Sequence, residues 1–148
     1  FKPANPLAHW VVEKEGKYIK SALKNLEKTE YDKTEFSLFI PCKKLKYKGI
    51  VFTCVDFHSE NRTDVNAKRI ADGFLLAKKH KCEKLSCPIG FLYEESHPES
   101  CKEFFSEFDK VIRGMDEDAK NIDYLIEFVI KRSLYNYSMF KDYQDFFE

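Results

Sequence analysis

Eight consecutive residues, Ile50-Val51-Phe52-Thr53-Cys54-Val55-Asp56-Phe57, constrain the fold more than any other stretch of the chain. Extended, they place Ile50, Phe52 and Cys54 on one face and Val51, Val55 and Phe57 on the other. A strand that is apolar on both faces has to be covered on both, and helices are the usual cover. The residues before it alternate too, with Phe36, Leu38, Ile40 and Cys42 sharing a face. Pro41 and Lys43-Lys44 fit the end of that first strand, and Lys48-Gly49 is a turn signal. Residues 35–57 are therefore expected to form a β-hairpin with a central second strand. Cys42 and Cys54, on facing strands, read as small core residues rather than a bridge.

Around this hairpin the period is helical. From Lys17 to Lys28, Tyr18, Ile19, Ala22, Leu23 and Leu26 recur on one side. Thr63 or Asp64 can cap a second helix to about His80, although Gly73 also permits a break followed by a strand over Phe74–Ala77. After Pro98, the Phe104, Phe105, Phe108, Val111 and Ile112 stripe predicts a helix ending at Gly114. Asp116 caps a further helix carrying Ala119, Ile122, Leu125, Ile126 and Val129 through about Leu134, antiparallel to the one before. Residues 1–8, with Pro3 and Pro6, read as an arm, His9–Val12 as a short strand, and Trp10 as a core anchor. The expected architecture is one α+β domain over residues 1–148: a small antiparallel sheet on amphipathic helices, with a helical C-terminal half.

Lys and Arg number 25, as do Asp and Glu, so no net charge steers the chain toward polyanions or acidic membranes. A local basic patch is compatible with that balance. No run of about 18 apolar residues is present to span a bilayer. The chain opens on Phe1 instead of Met, as a processed form or an excised domain would. Five cysteines, an odd number, favour an intracellular protein. The sequons at Asn61 and Asn136 favour the alternative, a secreted binding domain with disulfides and N-glycans.

The chemistry-bearing side chains gather in Cys82-x4-Cys87-x9-His97-x3-Cys101. Two thiols joined by a turn and a His/Cys pair on a helix would form a closed tetrahedral zinc site, structural in role. A disulfide among these cysteines and plain thiols are the other two readings. The run through Cys87-Pro88 and His97-Pro98-Glu99-Ser100-Cys101 resembles Cys-Cys-His-Cys zinc fingers. Lys78, Lys79, Lys81 and Lys84 form the densest basic cluster, read as a solvated face or as a contact for phosphate or an acidic partner. In the aromatic segment 135–148, Tyr137, Phe140, Tyr143 and Phe147 offer either a docking helix or a partner and homo-oligomer interface.

Asp56, His58 and Glu60 read as a strand running out into a polar loop. No phosphate loop, nucleophile elbow or H-E-x-x-H helix is present. These readings favour a non-enzymatic module that binds a protein partner without a membrane, either alone or within a nucleic-acid-associated complex, the latter without support from net charge. The alternative is a metal-dependent hydrolase. Glu30-x4-Glu35-Phe36, followed by an apolar strand ending in Asp56, is similar to the acidic set of Schlafen-like nucleases, with Ser37 where that motif has a basic residue. That resemblance implies catalytic carboxylates at Glu30, Glu35 and Asp56 on a divalent metal.

Overall fold

Proline at a first helical position has its φ preset for the helix, and Pro6 opens α1 (Pro6–Glu15) in this way. The computed structural model describes residues 6–55, 63–88, 98–115 and 125–129. Helix α1 replaces the strand expected over His9–Val12: Val12 is buried one turn before Glu15, as helical spacing allows. Gly16, at φ +110°, turns the chain into α2 (Lys17–Lys24), a backbone conformation that side chains rarely adopt. Ile19, Ala22 and Leu23 line the buried side of α2, and a 3₁₀ turn at Leu26–Lys28 completes the predicted segment.

The hairpin forms as expected. Strand β1 (Ser37–Pro41) pairs antiparallel with β2 (Gly49–Thr53), in a register that sets Leu38 against Phe52 and Ile40 against Ile50. The ladder's ends are Ser37 with Thr53 and Pro41 with Gly49. Cys54 therefore lies at one end and Cys42 at the other, too far apart to bridge, and both are thiols. Leu38 and Ile40 join Val12, Ile19, Ala22 and Leu23 in one core, with Ile50 and Phe52 packed against it. The opposite face meets α3 (Thr63–Lys79), so helices cover the hairpin on both sides.

Helix α3 runs through Gly73 without a break. A Cβ at Gly73 would come within 2.5 Å of the Thr53 Oγ1 and 3.2 Å of Ser37 Oγ and Val51 Cγ1. The missing side chain is what lets the helix axis approach the sheet. Beneath it, Ser37 Oγ and Thr53 Oγ1 hydrogen-bond across the strands at 3.0 Å. On its other side α3 packs on α4 (Pro98–Met115), where the Phe74 ring meets Phe108 edge-on at 5.1 Å and Phe104 and Phe105 are fully buried.

The C-terminal half departs from the expected helix pair. Strand β3 (Lys84–Pro88) pairs in parallel with β4 (Leu125–Val129), Lys84 opposite Leu125 and Pro88 opposite Val129, with α4 in the crossover between them. The residues expected to form the second helix of the pair thus contribute a strand. A short apolar run rich in Ile, Phe and Val suits a parallel strand as well as a buried helix, so periodicity alone does not separate the two. Among the described residues, no helix is long and apolar enough to cross a membrane.

Candidate functional site

Two turns meet at one end of the hairpin. The first is the β1–β2 loop, Lys43-Lys44-Leu45-Lys46-Tyr47-Lys48, four lysines in six residues. Its backbone N–H groups from Lys43, Lys44 and Leu45 all point at the carboxylate of Glu15, with Lys43 N at 2.8 Å and Lys44 N at 3.1 Å from Oε2. The Tyr18 hydroxyl donates to the same oxygen. Successive N–H groups in a turn form a concave anion site, and here the protein fills it with its own carboxylate. Glu15 is 1% exposed. Burial favours its neutral form, but the bonds from Tyr18 and the three N–H groups outweigh burial and lower its pKa to about 2. The Cys42 thiol is pushed up to about 11 by burial and by the neighbouring Glu15 charge. A carboxylate in the last turn of a helix is disfavoured by the macrodipole, so the loop is the reason for Glu15.

The second turn ends α3. Cys82 N–H donates to Ala77 C=O at 3.1 Å and Lys81 N–H to Lys78 C=O at 2.7 Å, the paired bonds of a Schellman motif. Lys81 occupies the left-handed position at φ 57°, where glycine is the usual residue. Lys81→Gly is therefore expected to raise stability by about 1 kcal/mol, seen as a higher urea midpoint at unchanged m-value.

Two contacts join these turns, and a third holds the end of α3. Lys48 Nζ donates to the Lys81 carbonyl at 3.0 Å. The His80 ring stacks on Phe39 at 3.8 Å, with the planes 7° apart, and Phe39 in turn covers Gly49, where a Cβ would strike its ring. Asp32 then clamps the helix end: its Oδ2 lies 2.7 Å from Lys79 Nζ and 3.0 Å from His80 Nε2. The Lys79 bond, opposed by burial and helped by His80, lowers the Asp32 pKa. The outcome is a single basic end that carries the loop lysines together with Lys78, Lys79, Lys81 and Lys84. Tyr47, 65% exposed, stands among them.

The sequence-predicted lysines are thus assembled with others that the sequence reading assigned only to a strand end and a turn. The Lys-Lys-Leu-Lys-Tyr-Lys run was the available signal. Glu15 and Asp32 had none, because their partners, Tyr18 apart, are backbone groups and side chains far away in the chain. Glu30 and Glu35 are exposed, in the connection that leads into β1. Asp56, His97, Tyr137, Phe140, Tyr143 and Phe147 lie outside the described residues, as do the sequon asparagines Asn61 and Asn136 and the Cys101 side chain.

Between Cys82 and Cys87 the chain is not a turn but mostly strand β3, rising about 3.3 Å per residue and holding the two cysteines apart. Burial raises the pKa of both thiols, Cys87 to about 12, and at Cys82 it outweighs the opposing charge of Lys48. No cluster of three or more potential metal ligands occurs among the described residues. The strand weighs against all four predicted ligands closing on one zinc ion. Native mass spectrometry with metal analysis checks the four-ligand reading, which requires one zinc per chain that is lost in Cys87→Ser.

Trp10 is no core anchor: it is 45% exposed. With Leu7, 46% exposed and one turn earlier, it gives α1 an outward apolar side in addition to the inward side that carries Val12. No known family model matches the chain, and no curated protein matches it in sequence.

Proposed function

We propose that the chain is a non-enzymatic interaction module that docks a protein partner through α1. The observation that carries this reading is the pair Leu7 and Trp10, both nearly half exposed and adjacent on one side of a helix whose other side is already packed in the core. A helix apolar on both sides is at rest only when both are covered. Tryptophan is the residue that most often dominates binding energy, seated in an apolar pocket of the partner. The partner surface is accordingly an apolar groove with a rim accommodating the exposed His9, Glu13 and Lys14. Among the described residues, the carboxylates with lowered pKa values, Glu15 and Asp32, are occupied in holding the fold, which fits a binding role better than turnover.

Affinity capture followed by titration of the purified partner tests the reading. Trp10→Ala is expected to weaken binding at least about 30-fold while the thermal melt is unchanged. Binding indifferent to Trp10→Ala and Leu7→Ser overturns it. So does Mg²⁺- or Mn²⁺-dependent cleavage of labelled RNA abolished by Asp56→Ala, which would favour the hydrolase reading. Sedimentation of the wild-type chain alone reports whether the partner is a second copy.

A further inference from the structure

The basic end has a chemistry of its own, independent of α1. We propose that it binds single-stranded nucleic acid, with Lys44, Lys46, Lys48 and Lys81 meeting backbone phosphates and Tyr47 offering its ring to a base. Four observations converge on this. The chain as a whole is neutral, yet the fold brings two lysine runs together through the bond from Lys48 to the Lys81 carbonyl. Of the nearby acids, Glu15 is buried against loop N–H groups and Asp32 is held by Lys79 and His80, which leaves Glu83 as the exposed carboxylate between Lys81 and Lys84. Against that one acid stand the loop lysines and Lys81, so the balance facing solvent is positive and a phosphate chain is attracted to it.

Lys81 is the second indication. It occupies a backbone position where glycine is the usual residue and any side chain is strained. Lysine there costs stability that glycine would not, and it adds a cation at the junction of the two turns. Third, the loop is pre-organised. Glu15 fixes the consecutive amides of Lys43, Lys44 and Leu45, so the first half of the loop that presents Lys44, Lys46 and Tyr47 has little backbone left to order on binding. Fourth, Tyr47 is 65% exposed and flanked by Lys46 and Lys48, a flat ring among cations. Stacking on an exposed ring beside a cationic track is how unpaired strands are held without sequence preference. An acidic protein surface is a poorer match, because lysine is depleted at protein interfaces and an acidic side chain has no face to stack.

Fluorescence anisotropy of a labelled strand of about 15 nucleotides, RNA and DNA in parallel, tests this on the whole chain across a salt series. Binding is expected to weaken as salt rises. Lys44→Glu with Lys46→Glu should reduce affinity at least about tenfold and lower the salt slope by about 1.4, roughly 0.7 per lost phosphate contact. Tyr47→Ala should cost about tenfold with the slope unchanged, since it removes a base and not a phosphate. Lys81→Gly should bind several-fold more weakly although the protein itself becomes more stable, a combination that damage to the fold does not produce. Trp10→Ala should bind as wild type, so this site and the α1 reading fail separately. The proposal is overturned by absence of salt-dependent binding to either strand, or by wild-type affinity in the lysine and Tyr47 variants. Equal displacement of the strand by a polyglutamate peptide of matched charge overturns it in favour of an acidic protein partner.

Discussion

Glu15→Ala is expected to remove roughly 3 kcal/mol of folding stability, because it strands three loop amides around an empty site and leaves the Tyr18 hydroxyl only its 3.2 Å bond to the Pro41 carbonyl. Against a total that is usually about 5 to 15 kcal/mol, such a loss is a large fraction. Urea denaturation followed by far-UV circular dichroism reads it directly. The pH dependence gives the same residue a second signature. Its carboxyl titrates at about 2 in the folded chain against an ordinary 4.5, so the unfolded state takes up the proton first as pH falls. The stabilisation, roughly 3 kcal/mol, is complete above the unfolded value and drains away as pH drops from about 5 to about 2. Glu15→Gln keeps the shape but not the charge. It should be destabilised at neutral pH and should converge on wild type near pH 2; a constant difference across that window would show that the charge is not what holds the loop.

Gly73→Leu is expected to cost about 3 kcal/mol or more, the upper range for overpacking, since even its first carbon overlaps Thr53 Oγ1. The smaller Gly73→Ala sets two effects against each other. Alanine gains about 1 kcal/mol of helix propensity, whereas the close approach to Thr53, Ser37 and Val51 costs about 1 to 3. Thr53→Ala removes the nearest obstructing atom. In a double-mutant cycle the penalty of Gly73→Ala should shrink in the Thr53→Ala background, with a coupling above about 0.5 kcal/mol. Strict additivity would mean that α3 does not rest on the sheet at this glycine.

These two positions also show how far the fold could be read before the structure. The hairpin was legible because alternation is a local property, and Leu38, Ile40, Ile50 and Phe52 carry it within fifteen residues. Gly73 was visible only as a weak point in a helix; that its missing side chain makes room for Thr53 is a fact about another element. Trp10 reads as a core anchor because a chain's single tryptophan is usually largely buried, and the sequence does not say that the helix formed around it covers only the Val12 side. The strand at Leu125–Val129 was read as helix because five apolar-rich residues are too short to display either period. At the basic end, Lys78, Lys79, Lys81 and Lys84 were evident as a run. Their junction with the Lys43–Lys48 loop depends on Lys48, Phe39, His80 and Asp32, contacts across thirty or more residues that no local pattern marks.

The parallel pairing of β3 with β4 carries a consequence for the order of assembly. Lys84 and Leu125 are forty-one positions apart, 125 less 84, whereas Pro41 and Gly49 in the hairpin are eight apart, 49 less 41. Closing the larger loop costs more chain entropy before any bond repays it, and contacts distant in sequence form slowly. We expect the hairpin and α3 to meet first and the β3–β4 ladder to join a partly built molecule. Leu85→Ala in β3 should then accelerate unfolding and leave refolding almost unchanged, whereas a slowed refolding limb would make this ladder an early event. While the ladder is still open, the exposed edge of β3 is the place where a nascent chain would be caught by another copy of itself.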